Sequence, residues 1–184
     1  MLRSFRLPLA LPLALPLALV GAALVCAALA PTARGAGKER RYSNSKYGVT
    51  VDAPAGWALS PHTGYPDILM VLVHPSGARI SLAAADTALG SARELAEQNR
   101  RGLEAQGLTI TAIAPAPRDG VIVDALPKTG ADRLRQYYVL RTADDKTRQG
   151  LVLTLTAPAS LLPTMQPTFS SLIGRLLTDA SPPR

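Results

Sequence analysis

Apolar and polar positions change their spacing several times along the chain, and each change of period marks an element. Tyr47-Gly48-Val49-Thr50-Val51-Asp52-Ala53-Pro54 alternates as a strand does and stops at proline, so Ala55-Gly56-Trp57 reads as a turn. Residues 68–73 form a continuous apolar strand. His74-Pro75-Ser76-Gly77 folds it back into Arg79-Ile80-Ser81-Leu82-Ala83, where alternation resumes, and the two make a hairpin.

Ser91-Ala92-Arg93-Glu94 is a capping box, in which a hydroxyl and a carboxylate satisfy backbone amides at a helix start. The helix runs to about Gly107, a residue suited to ending it. Leu95, Ala96 and Leu103 share one face, while Arg93, Glu97 and Arg101 stand four apart on another, a charged solvent face. Strands return at 108–112, 120–123, 136–140 and 150–156, the last two joined by the polar turn Asp144-Asp145-Lys146. Met165, Phe169, Leu172, Ile173 and Leu176 then fall at helical spacing, with Pro163 and Pro167 dividing or delimiting the helix start. Strands, a helix, more strands and a final helix, linked by short turns, predict an α+β domain: an antiparallel β-sheet flanked by two main helices.

Ahead of this pattern lies a different one. Arg3 and Arg6 precede residues 7–30, which carry no charge. That is the layout of an export signal, and its apolar run exceeds the roughly 20 residues a membrane-spanning helix needs. Pro8, Pro12 and Pro16 weaken such a helix, and small residues gather toward Ala30, so removal is the first expectation. Retention as a membrane anchor is the second. Lipid attachment at Cys26 is the third, and the Ala23-Leu24-Val25 before it fits that poorly. The expected organisation is a signal peptide at 1–30, a basic flexible leader at 31–41, one domain at 42–178 and a disordered tail at 179–184. The expected location is extracytoplasmic, periplasmic or secreted, with membrane contact only through an uncleaved N-terminal segment.

Charge changes the picture once it is divided. The net charge is +7, but Arg3, Arg6 and Arg34 precede Lys38, leaving 17 cations against 13 acids. Without Lys38-Glu39-Arg40-Arg41 the balance is 14 against 12, so the basicity lies mostly outside the domain and nucleic-acid binding loses its support. Cys26 is the only cysteine, and its removal leaves neither disulfide nor thiolate chemistry.

Reactive groups are scarce. His62 and His74 are the only histidines, and Asp67 is the nearest carboxylate in sequence; a zinc site needs further ligands, so both read as loop residues beside prolines. Ser76, the serine nearest a histidine, belongs to a hairpin turn, and there is no nucleophile elbow. Three of the four glutamates, Glu94, Glu97 and Glu104, lie on one helix, where capping and solvation are their expected work. Asp144 and Asp145 shape a turn, with too few oxygen ligands around them for calcium. No catalytic residue, metal ligand or cofactor is assigned. The stretch from Gly56 to Asp67 is read as irregular and joins Trp57, His62 and Tyr65. Trp57 reads as a core anchor, and His62 and Tyr65 are the candidate partner-binding residues.

The stretch Tyr47-Gly48-Val49-Thr50-Val51-Asp52-Ala53-Pro54-Ala55-Gly56-Trp57 resembles the opening motif of PsbP-like domains. Gln136-Tyr137-Tyr138-Val139, and Leu153-Thr154-Leu155-Thr156-Ala157-Pro158 before a terminal amphipathic helix, are similar to the closing elements of that superfamily. The similarity spans about Tyr42 to Leu177, and no ligand or metal residue carries over. It implies an α/β/α sandwich with a non-enzymatic accessory role and a protein partner. Two other classes stay open: a carrier of small apolar ligands in the periplasm, and a hydrolase.

Overall fold

A computed structural model of the chain describes residues 40–60, 67–142 and 147–178. The apolar run at 7–30, the turn at 144–146 and the tail at 179–184 lie outside these residues. Nine strands and two helices follow in order: β1 (Arg41–Asn44), β2 (Val49–Asp52), β3 (Ala58–Ser60), β4 (Ile68–Val73), β5 (Arg79–Thr87), α1 (Ala92–Ala105), β6 (Leu108–Ala116), β7 (Gly120–Pro127), β8 (Asp132–Thr142), β9 (Arg148–Pro158) and α2 (Leu162–Thr178). Strands β1 and β2 form a small ribbon. The other seven make one sheet in the order β3-β4-β5-β9-β8-β7-β6, antiparallel at every pairing.

Strand alternation decides which helix each side chain meets. In β8 and β9, Tyr137, Val139, Leu151, Leu153 and Leu155 point toward α2 and form the main core with Phe169 and Leu172. Tyr138 and Val152 point the other way and pack with Leu95 and Ala96 of α1. The helices thus cover opposite faces. This is the α/β/α sandwich, and the α+β expectation holds. No helix among the described residues is long and apolar enough to cross a membrane.

The cap of α1 forms as its sequence requires. Ser91 Oγ accepts the Glu94 N–H at 3.1 Å, and Glu94 Oε2 accepts the Gly90 N–H at 2.7 Å. Gly107 follows the helix with φ +83°, the left-handed conformation that glycine tolerates best.

Several expectations need correction. Arg41, read as leader, opens β1: it pairs with Asp52 in register and by a 3.0 Å ion pair. The stretch from Gly56 to Asp67 is not irregular throughout, because 58–60 is an edge strand hydrogen-bonded to β4. Pro167 does not divide the last helix; it sits inside α2, where its missing N–H removes one bond near the start of an otherwise continuous helix. The charged solvent face of α1 holds, with Arg93 and Arg101 exposed, and beside it stands Arg100. It reaches Glu97 at 2.8 Å and Glu104 at 3.0 Å, one turn to either side.

Candidate functional site

His62 and Tyr65, the candidate contact residues, lie outside the described residues, so the site is built from its frame. β3 ends at Ser60, which pairs with Val71 of β4. On the return, the carbonyl of Asp67 accepts the Ala84 N–H at 3.0 Å. The residues on either side of 61–66 are therefore tied to a ladder that β5 and β9 continue.

Trp57 sits at the far end of β3. It is 7% exposed and belongs to the main core, as a core anchor should. Its ring lies 5.2 Å from that of His74, tilted by 52°. Gly56 makes room for this pair: with φ +82°, any Cβ there would stand 3.3 Å from His74 Nε2. His74 Nδ1 accepts the Ser76 N–H at 3.2 Å and contacts Ser76 Oγ at 2.8 Å. A ring nitrogen that accepts an N–H carries no proton, so the neutral ring is protonated at Nε2. Ser76 and His74 are thus locked into closing the β4–β5 turn. No carboxylate is hydrogen-bonded to the His74 ring among the described residues. Among the described residues, which do not include His62, no group of three potential metal ligands occurs.

Other polar clusters serve the fold. Arg135 grips Asp124 with two bonds, at 2.6 and 2.8 Å, which raises the guanidinium pKa. Tyr138 donates to Gln136, whose amide donates to Thr154 Oγ1 at 3.1 Å, a buried chain in which burial raises the phenol pKa. Arg141 donates to the carbonyl of Tyr47, and burial lowers its pKa. With the Gln149 amide on the Lys46 carbonyl at 3.3 Å, it pins the β1–β2 turn to the sheet.

One feature escaped the sequence reading. Along β4, Met70 and Leu72 are buried at 2% and 0%, whereas Ile68, Val71 and Val73, on the opposite face, are only half-buried. The six-residue apolar run was the available signal, since a strand apolar on both faces is suited to a sheet covered on both faces.

No family model matches the chain, and no curated protein matches it in sequence. Solved structures match in fold. The solution structure of cyanobacterial PsbP (CyanoP) from Synechocystis sp. PCC 6803 aligns at TM-score 0.53 and 15% identity, over 73% of this chain and 89% of that one. The crystal structure of LpqN, involved in cell envelope biogenesis of Mycobacterium tuberculosis, aligns at TM-score 0.47 and 13% identity, over 67% and 76%. The fold of this chain is PsbP-like.

Proposed function

We propose that this PsbP-like domain is an exported, non-enzymatic accessory protein that binds a protein partner through the loop between β3 and β4, with His62 and Tyr65 in contact. The observation that carries the reading is the framed loop: an aromatic and a histidine lie on a segment whose two ends are held by the Ser60–Val71 pairing and the Asp67–Ala84 hydrogen bond. Tyr side chains give large contact area at small entropic cost, which suits them to recognition. The PsbP-like fold supports an accessory role, as the resemblance implies. Export is supported by the uncharged run at 7–30 behind Arg3 and Arg6.

The test uses a partner identified by crosslinking in the producing cells. Replacing His62 and Tyr65 together by Ala is expected to weaken that complex at least tenfold while leaving the melting temperature unchanged. Reversing Arg93 and Arg101 to Glu is expected to leave binding intact, since the exposed face of α1 is the alternative surface. The opposite pattern moves the site to α1 and defeats the proposal. Export is checked by N-terminal sequencing of the purified protein. The expected first residue lies between Pro31 and Lys38, and an intact Met1 in the membrane fraction overturns removal of the signal.

A further inference from the structure

We infer that Arg141 is the seat of a carboxylate site where β8 meets the β1–β2 turn, taking an acidic side chain of a partner protein or a free small carboxylic acid. The site is independent of His62 and Tyr65.

The first argument is a charge without a counter-charge. Arg41 pairs with Asp52, Lys46 with Asp86, Arg100 with Glu97 and Glu104, and Arg135 with Asp124. Arg141 is half-buried, and its Nη2 donates to a neutral group, the Tyr47 carbonyl. Among the described residues no carboxylate pairs with it. Burial lowers its pKa and is the sole cause, whereas Asp124 raises that of Arg135 against burial. A guanidinium offers several N–H donors, and a single carbonyl answers only part of them. Taking a cation out of water without an anion costs far more than a hydrogen bond to a neutral group returns. An arginine kept at that cost fits a site that is balanced in charge only when an anion is bound.

The second argument is fixed position. Register sets Arg141 opposite Gln149, a buried residue whose amide donates to the Lys46 carbonyl at 3.3 Å. The two side chains thus hold consecutive carbonyls of one turn. The guanidinium fork is in place before a ligand arrives, which lowers the entropic cost of binding. The third argument selects the anion. Lys46 is matched by Asp86 at 3.4 Å, which leaves Arg141 as the unmatched positive charge at this turn. A carboxylate carries a single negative charge and presents two oxygens to parallel N–H groups of a guanidinium. A phosphate group brings about −1.5 to −2 charges, an excess at a turn that already holds Asp86.

The test titrates the full-length protein with sodium acetate in place of sodium chloride at constant ionic strength. It follows the arginine Nε–H signals by NMR together with the melting temperature. One signal, absent from Arg141→Lys, is expected to shift saturably, and the melting temperature is expected to rise with acetate. Arg141→Lys keeps the charge and loses the fork, so acetate affinity is expected to fall at least fivefold. Arg141→Met is expected to melt at or above the wild-type temperature in chloride and to lose the acetate response. A lower melting temperature for Arg141→Met, with no acetate response in the wild type, makes Arg141 a structural clamp and overturns the inference. So does an equal response to sulfate. An acetate response that appears only when Asp144 and Asp145 are replaced by Asn assigns the carboxylate to the chain itself and overturns it too. To separate the sources, a photo-crosslinking residue replaces the exposed Ser45 in the producing cells, and native mass spectrometry is run on the purified protein. An adduct on an acidic segment of another protein assigns a partner, and a bound small carboxylic acid assigns a free ligand. Acetate binding with neither means an adventitious ion only and overturns the inference. Replacing His62 and Tyr65 together by Ala is expected to leave the acetate response unchanged, so the two readings fail separately.

Discussion

Gly120 and Gly150 each sit where a side chain would collide, and the two collisions differ in what can yield. A Cβ on Gly120 would stand 2.5 Å from Tyr137 Cε2. That ring belongs to a residue only 1% exposed, and its hydroxyl donates to the Pro117 carbonyl at 2.9 Å, so it has nowhere to go. A Cβ on Gly150 would stand 2.9 Å from Leu95 Cδ2, the rotatable end of a flexible side chain. Gly120→Ala is therefore expected to destabilise by about 2 to 3 kcal/mol and Gly150→Ala by about 1 kcal/mol or less, read from urea unfolding midpoints. Equal losses would contradict this account. Tyr137 also carries a pH dependence. Burial is the larger effect on its phenol and raises the pKa to about 12, against a smaller lowering by Arg118. The folded state holds its proton longer than the unfolded chain, whose tyrosine titrates near 10. The associated stability is full below about pH 10 and is lost as pH rises toward 12. Tyr137→Phe is expected to flatten the fall in unfolding free energy between pH 9.5 and 12, roughly the window set by those two values, with part of the slope kept by buried Tyr138.

Among the elements, α2 is the one whose loss would expose most of the main core. Phe169 is 1% exposed and packs with Leu172 and the inward residues of β9. Phe169→Ala should cost about 3 to 5 kcal/mol in chemical denaturation, the range for an aromatic removed from a well-packed core. A loss below about 1 kcal/mol would mean that α2 is only loosely seated. The sheet edges are elements of another kind. β3 presents three residues, a short edge that offers little to a foreign strand. β6 presents nine residues without a charge, yet it is interrupted by an irregular register between Ile110 and Ala112 and carries Pro115 one residue before its end, which cannot donate to a new ladder. Its protection comes from backbone shape rather than from charge.

Across the whole molecule, two helices on opposite faces of one sheet leave stability to packing. Among the described residues no cluster could hold a metal, and Cys26, the sole cysteine, precedes them. The domain is expected to unfold in one cooperative transition whose midpoint is unaffected by chelator or reductant, followed by thermal scans in the presence of each. A chelator-induced fall would reveal a metal site and make His62 and His74 the first residues to replace. The same architecture divides work between the faces. One is sealed by α2 and the β1–β2 ribbon; on the other, α1 packs over β6, β7 and β8.

The sequence alone determined everything that depends on neighbours a few residues apart. The Ser91 cap, the stop at Gly107, the 68–73 strand with its turn at His74 and the periodicity of α2 are local signals, and each is found where its residues place it. Together with the short links they made the α+β sandwich legible. The tertiary structure alone decided what rests on distant partners. β1 has only four residues, of which Arg41 reads as leader, and is a strand because β2 supplies its hydrogen bonds. β3 is too short to show a period and exists through β4. Of the candidate site, the residue types were readable in sequence, whereas the pairings that hold the residues flanking 61–66 were not. Whether an apolar face is covered is set by where a helix crosses the sheet, and no spacing within β4 records that.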